Sequence, residues 1–570
     1  MTTTRLLALT LFSVAPCLTA QVELSTLLPT SPVAELRIRK TKAFLTRLQV
    51  SRVGKVLTDA SMTEVWTQLT QNEELVQAWQ DLARRSDENI VWMELLWKLL
   101  RDHEIDVQIA GGFGRGQKEP AGWWVAGQLS GGKQALEGFS KSFAREIARH
   151  EVPETGKMRL LGGDRIYVGG DAGSHQLVAP FLHEGALWFF LGSDCKRSFG
   201  RVRKEPQESL IHDRDEPFVL AADLGAIMSI WGSGVSADAG SEDYELMQAL
   251  GLTELRGMEF SLDVRAGRVI QAFDFTIPAK GLFAEVMSIL AVKEGKAREL
   301  LRHMPEATQT GDVWSTDPRR LYRVITAGIE QVAKAQGEGP LELERMFEGK
   351  FGFELVKGLI DPLDGRFFSY QDFGGKAEAP EQISGFDFST SCMCLGIEDS
   401  VTFGKSVDTV IRKLGLHVSR KKDDYREARL YRFKFMGLIE VHYALLDDLF
   451  IVAYGSNPGL MLRRIVDRER DLAAGKPGFA PDPNLEHQLS LASPVISGLR
   501  VADLSTMVGG FAQLMNQLED LGLGQEDGSM TKIVQAVSQN ALPLLKKHGV
   551  ATSITTMGRH RKSLRLLSIW

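Results

Sequence analysis

Residues 24–46 read LSTLLPTSPVAELRIRKTKAFLT, and residues 300–326 read LLRHMPEATQTGDVWSTDPRRLYRVIT. Each has an apolar pair, a proline, a short polar run, a strand-like segment and the start of an amphipathic helix. Pro29 and Pro305 stand 276 positions apart. Further landmarks recur in the same order. Leu187–Ser193 (LWFFLGS) answers to Leu449–Ser456 (LFIVAYGS), with the serines 263 apart. Phe218–Leu224 answers to Ser497–Leu504, with Asp223 and Asp503 280 apart. The hairpin Met258–Phe275, turning at Arg265-Ala266-Gly267, answers to Thr552–Trp570, turning at His560-Arg561-Lys562. Ordered landmarks at a drifting offset are what a tandem duplication leaves once short loop insertions accumulate. The competing reading is two unrelated halves with similar generic patterns.

Periodicity outward from these stretches predicts both element types. Thr41 to about His103 is mostly helical by spacing. Ile105, Val107 and Ile109 alternate with polar residues, which marks a strand. Trp123–Leu129 is a second strand. Lys133–Arg149 is a helix with Leu136, Phe139, Phe143 and Ile147 on one stripe. Strand pairs follow at Lys157–Tyr167 around Gly162-Gly163-Asp164, and at Leu177–Leu182 with Ala186–Leu191. In the second half, strands are expected at 366–370, 391–397, 429–435, 439–445 and 449–454, with helices at 405–414 and 460–470. Tight turns between consecutive strands require antiparallel pairing. The expected class is therefore α+β, a tandem duplication of a unit with an antiparallel sheet and packed helices. The expected division is a signal peptide at 1–20 and a first α+β unit at 21–298. That unit has a helical part at about 41–104 and a sheet-rich part at about 105–280. A related second unit covers 299–570.

Composition sets the class of molecule. The 570 residues are 44% apolar and 25% charged, with a net charge of −6. That is an ordinary globular composition and offers nothing to draw the whole chain to nucleic acid. Arg5, the apolar run Leu6–Leu18 and Leu18-Thr19-Ala20 before Gln21 match an export leader. The run is too short to span a bilayer, and no later segment is long and apolar enough, so no transmembrane segment is expected in the mature chain. Cys17 raises a lipid-anchored alternative, which Pro16 fits poorly. The expected location is the periplasm or the extracellular space.

Motifs for chemistry are sparse. Gly112-x-Gly114-x-Gly116 follows a strand but leads into Pro120 and another strand, without the helix N-terminus that a pyrophosphate needs. Gly455-Ser456-Asn457-Pro458-Gly459 has the wrong spacing for a nucleophile elbow, and Ser456 or Asn457 reads as the cap of the following helix. Cys392 and Cys394 alternate with Met393, so both fall on one strand face as buried thiols. With Cys195 they leave an odd count after export, so their disulfide state stays open. His183-Glu184 and the run His212–Glu216 read as solvated turns. Trp66, Trp79, Trp92 and Trp97 read as helical core. Arg420, Lys421, Lys422, Arg426, Arg429, Arg432 and Lys434 form a basic run whose exposed strand face could suit a polyanion, although a half-solvated antiparallel strand explains it equally well. A second basic cluster is Arg559–Lys562 with Arg565. No catalytic, cofactor-binding or metal-binding residue is assigned, and no cofactor is expected.

The leader, the opening leucine-proline strand-helix unit, the strand ending Leu191-Gly192-Ser193 and its echo Tyr454-Gly455-Ser456 resemble a group of exported bacterial proteins of unknown function. The resemblance implies export and no particular activity. The leading expectation is a non-enzymatic binding or envelope-associated structural module with an unknown ligand or envelope partner. The alternatives are an exported hydrolase with a carboxylate-based site and a lipid-anchored surface protein.

Overall fold

The computed structural model describes residues 28–570 except 29, 64, 66, 68–89, 114–122, 150–153, 161–163, 170–175, 184, 193–206, 212–214, 228–250, 252–254, 256, 292–296, 306–309, 336–338, 340–341, 374–388, 436–438, 456, 480–482, 493–495, 504–535 and 551. The leader, Cys17, Trp66, Trp79, Cys195, Glu184, Gly114, Gly116 and Ser456 lie outside the described residues. The fold is α+β, and every strand pairing described is antiparallel. Contacts divide the chain into two compact units, the first ending at Thr276 and the second starting at Ile277, apart from two short pieces.

In the first unit, β1 (Ala34–Ile38) leads into α1 (Thr41–Val50) and α2 (Arg52–Thr58). Then come α3 (Ile90–Asp102), β2 (Asp106–Phe113), β3 (Trp123–Ser130) and α4 (Lys133–Arg149). The strands β4 (Glu154–Leu160), β5 (Asp164–Gly169), β6 (Gln176–His183) and β7 (Ala186–Gly192) form a meander. After it stand β8 (Phe218–Ala222), β9 (Met258–Arg265) and β10 (Arg268–Thr276). Side-by-side order is β4-β5-β6-β7-β3-β2-β1-β8-β9-β10. One face packs Val107, Leu129 and Leu187 against Leu99 and Leu100 of α3 and Leu136 and Phe139 of α4. These are the apolar positions of the alternating pattern. The opposite face carries buried polar groups. Arg37, Gln108, Gln128 and Trp188 are paired in register across four strands, and all four are under 5% exposed.

Ser51 joins α1 to α2. Its Oγ accepts from Gly54 N–H at 3.0 Å and donates to the Leu48 carbonyl at 2.6 Å. It thus satisfies one orphan group at each helix end. Ser51→Ala is expected to destabilise the first unit by about 1–2 kcal/mol, read as a lower urea midpoint at unchanged m-value.

The second unit has α5 (Leu282–Leu290), β11 (Thr310–Ser315), α6 (Pro318–Ala335) and α7 (Leu343–Phe351). Next are β12 (Leu363–Phe373), β13 (Ser389–Ile397) and α8 (Ser400–Lys413). The meander is β14 (Lys421–Tyr425), β15 (Ala428–Phe435), β16 (Ile439–Leu445) and β17 (Leu449–Gly455). The chain then forms α9 (Pro458–Ala473), α10 (Pro483–Leu491), β18 (Gly498–Asp503), β19 (Thr552–His560) and β20 (Ser563–Ile569). Side-by-side order is β14-β15-β16-β17-β13-β12-β11-β18-β19-β20. Element for element, this is the order found in the first unit. Contacts group α5 with the second unit because it packs on α6 and its Leu290 carbonyl accepts from Ser497 Oγ. The division therefore falls upstream of the expected cut at 298.

Phe368, Tyr370, Cys392, Cys394, Ile451 and Ala453 make one sheet face, each no more than 1% exposed. The face packs under α9, whose Met461, Leu462, Ile465 and Val466 are buried. Cys392 and Cys394 share this face, free and fully buried, with Sγ atoms 3.9 Å apart. Burial pushes the Cys394 thiol well above its usual value, so it stays a neutral, unreactive apolar group.

Candidate functional site

Three chain turns build a cleft of about 480 Å³ in the second unit. Arg302 comes from the 3-10 turn Leu301–His303 ahead of β11. Asp447 and Asp448 sit in the turn between β16 and β17. Glu469, Arg470 and Lys476 come from the end of α9 and the loop after it. That helix stops in a Schellman motif. Gly475, at φ 76°, donates to the Leu472 carbonyl at 3.0 Å, and Lys476 donates to the Asp471 carbonyl at 2.9 Å. The left-handed conformation needs glycine, and it turns the chain back across Arg302. Phe479 N–H then donates to the Arg302 carbonyl at 3.2 Å.

Glu469 lines the cleft and is held from behind by His303. His303 Nδ1 lies 2.8 Å and 3.1 Å from the two oxygens of Glu469. Both side chains are largely buried, and the imidazole packs on Phe368 at 5.2 Å between ring centroids. Arg302 Nε–H points at His303 Nε2 at 3.3 Å. A guanidinium donates only, so Nε2 accepts, and Nδ1 carries the proton given to Glu469. The tautomer follows from this network. It also blocks the nitrogen that a general base would turn toward a nucleophile.

Two of the remaining charges of the cleft are matched. Asp448 meets Arg366 at 2.9 Å, and Arg366 meets Asp364 at 2.6 Å. Burial pulls the Arg366 guanidinium down, but the bonds to Asp448 and Asp364 outweigh it and hold it above its usual range. Lys476 meets Asp471 at 3.0 Å, and that bond holds the Asp471 carboxyl below its usual range. Arg470 Nε donates to the Arg426 carbonyl at 3.2 Å. Among the described residues, the Nη atoms of Arg302 and Arg470 make no hydrogen bond, and no ion pair engages Asp447. The cleft therefore presents two unengaged guanidinium ends against one unengaged carboxylate.

The motifs singled out in the sequence fall elsewhere. Asn457 is the N-cap residue of α9 and Pro458 its first residue, but the Asn457 side chain makes no cap bond. Its backbone N–H donates instead to Thr390 Oγ1 at 2.9 Å, so the helix start is fixed from β13. Three of the seven cations of the basic run 420–434 are paired. Arg420 pairs with Asp408 at 2.6 Å, Arg426 with Asp467 at 2.8 Å and Lys422 with Asp424 at 3.2 Å. Arg432 and Lys434 are exposed while Tyr431 and Phe433 are half-buried, as a half-solvated strand requires. Gly112 lies within β2, where a Cβ would come within 2.6 Å of the Trp124 ring. Trp97 is half-buried in α3, and the side chain of Trp92 lies outside the described residues. Among the described residues there is no cluster of three or more His, Cys, Asp or Glu suited to a metal, and no helix long and apolar enough to cross a membrane. Sequence reasoning missed Arg302, His303, Glu469 and Arg470. They share no motif, and His303 and Glu469 stand 166 positions apart.

No family model matches the chain, and no curated protein matches it. Two solved structures, crystal forms III and I of TP0453, match 49% of this chain and 90% of their own length. Identity is 12% and 14%, with TM-scores of 0.23 and 0.22. A likeness that low carries no argument about this chain.

Proposed function

We propose that the chain is an exported, non-enzymatic binding module whose ligand is a small anionic or zwitterionic solute, held in the cleft of the second unit. The observation that carries this reading is the pair of unengaged guanidinium ends of Arg302 and Arg470, set against a single unengaged carboxylate, Asp447, while Asp448 and Asp471 each meet a cation. A planar guanidinium grips carboxylate or phosphate oxygens in a two-pronged bond. His303 and Glu469 act here as a fixed support for Arg302, not as a base and its orienting group. The rival hydrolase has less behind it, because Asp448 and Glu469 are each committed to a partner.

Calorimetric titration with inorganic phosphate, citrate and a short peptide tests the reading. At least one is expected to bind with an affinity that falls as salt rises, and Arg302→Ala and Arg470→Ala are each expected to weaken it at least tenfold, about 1.4 kcal/mol. Equal affinity in both variants would sink the proposed site. Turnover in a broad hydrolase screen that Glu469→Gln abolishes would favour the rival.

The same reading takes residues 1–20 as an export leader and places the mature chain in the periplasm or outside the cell. The mass of the exported product separates cleavage before Gln21 from lipidation at Cys17. It also takes the two units, divided near 298 in the sequence, as copies of one ancestor. Their shared strand order supports that, and so does register. Ala34 lies between Gly111 and Ala222, while Thr310 lies between Gln371 and Ala502. The closing hairpins turn at Arg265–Arg268 and at His560–Ser563.

A further inference from the structure

The two sheets differ in chemistry at one matched position. Glu35, in β1, lies between Ala110 and Ala221 and is fully buried. The corresponding place in the second sheet, between Tyr370 and Val501, is Gly311. Met304 covers it, so that a Cβ there would come within 3.1 Å of the sulfur. The fold therefore does not need a carboxylate here, and burying one costs free energy unless its partners offset the lost water.

The partners of Glu35 belong to a single segment. Oε2 accepts from Ser209 Oγ at 2.9 Å, Leu210 N–H at 2.5 Å and Ile211 N–H at 3.0 Å. A second tie holds the same segment, since Ser31 Oγ donates to Gln207 Oε1 at 3.2 Å. Oε1 of Glu35 is buried and has no hydrogen-bond partner among the described residues. With three donors on Oε2, the proton of the neutral acid sits on Oε1. Once that proton leaves for solvent, part of a full charge rests on an oxygen sealed from water with no donor.

Few charges reach this group. Arg37, two residues along the same strand, acts on it by simple attraction. Glu259 on β9 is opposite Ala221 on β8, and Asp274 on β10 is opposite Glu259, so both carboxylates stand on the same sheet face. Glu208 on the segment itself is exposed, and Asp215 and Glu216 act on Arg37. Burial outweighs the bonds from Ser209, Ile211 and Leu210 and the pull of Arg37, and pushes the carboxyl up to about 7.

We infer that residues 207–211 form a pH-gated strap, closed on β1 while Glu35 is neutral and released when Glu35 ionises. The sign follows from proton linkage. The closed form binds the proton more tightly than an open form in which water reaches the carboxylate. Raising the pH toward about 7 therefore favours opening, by up to tenfold per pH unit, and the effect levels off above that, where the closed form is ionised as well.

Hydrogen exchange of the full chain at pH 5.0 and pH 8.0, corrected for intrinsic rates, tests the strap. The amides of Leu210 and Ile211 are expected to open at least tenfold more at the higher pH, while β2 and β3 stay unchanged. Glu35→Gln, which keeps an acceptor for the three donors and cannot ionise, is expected to remove that dependence. Equal protection of the wild type at both pH values overturns the proposal, and so does a pH dependence that survives in Glu35→Gln. Should that variant fail to fold, Ser209→Ala serves. It removes a bond that favours the ionised form and is expected to move the opening midpoint to higher pH. An unmoved midpoint overturns the strap.

Discussion

Phe368→Ala is expected to destabilise the second unit by about 3–5 kcal/mol and to weaken its cleft at the same time. Phe368 is 1% exposed. It stands on β12 between Val313 of β11 and Cys394 of β13, both fully or nearly fully buried. Its ring stacks on Tyr370 at 6.4 Å and meets the His303 ring at a 45° tilt, 5.2 Å between centroids. Truncation removes the transfer energy of a whole ring and leaves a cavity that a paired strand cannot collapse into. It also removes the wall that holds the His303 imidazole toward Glu469. Urea unfolding followed by exchange of the β12 and β13 amides reads the first effect. Titration of the cleft reads the second, with affinity expected to fall although no residue lining it has changed. A loss below about 1 kcal/mol would mean that this ring is not core.

Gly365→Ala is expected to cost roughly 3 kcal/mol or more, a large effect for one methyl group. Gly365 lies near the start of β12 at φ 90°, where the β12–β13 register shifts between Leu363 and Phe367. A Cβ there would lie 2.0 Å from the Thr316 carbonyl oxygen, which is backbone and cannot rotate away. The Gly365 carbonyl accepts from Thr316 N–H at 3.0 Å, so the two chains are held at that approach. Gly352 is the control. It too has a positive φ, 83°, at the end of α7, but nothing lies within 4 Å of its Cβ position. Gly352→Ala is expected to cost only about 1 kcal/mol, from the backbone conformation alone. Comparable midpoints for the two variants would remove the steric argument. A much lower midpoint for Gly365→Ala isolates it.

Element types were legible in the sequence, while some ends were not: α8 starts at Ser400 instead of Lys405, and β12 runs over Leu363–Phe373 instead of 366–370. Lys133–Arg149 is a helix over the expected span, because its apolar stripe repeats at helical spacing. The hairpin at Arg265-Ala266-Gly267 turns where expected, with Ala266 and Gly267 at positive φ. Cys392 and Cys394 share a buried face because strand side chains alternate. The candidate site was not legible. Arg302-His303, Asp447-Asp448 and Glu469-Arg470 lie in three separate segments and share no motif. Local sequence says nothing about where the three segments meet. Glu35 and Arg37 were equally opaque. In AELRI they occupy the polar places of an alternating strand, which water usually covers, whereas here both are under 5% exposed.

The sequence alone determined the element types, most turn positions and antiparallel pairing of neighbours, since spacing and turn chemistry act over a few residues. Tertiary structure decided the strand order, with β1 between β2 and β8, and β11 between β12 and β18. It also decided which polar side chains lost their water. Both depend on contacts between residues far apart in the chain. A carboxylate such as Glu35 is a solvated surface group or a buried latch according to what covers it, and no window of neighbouring residues carries that information.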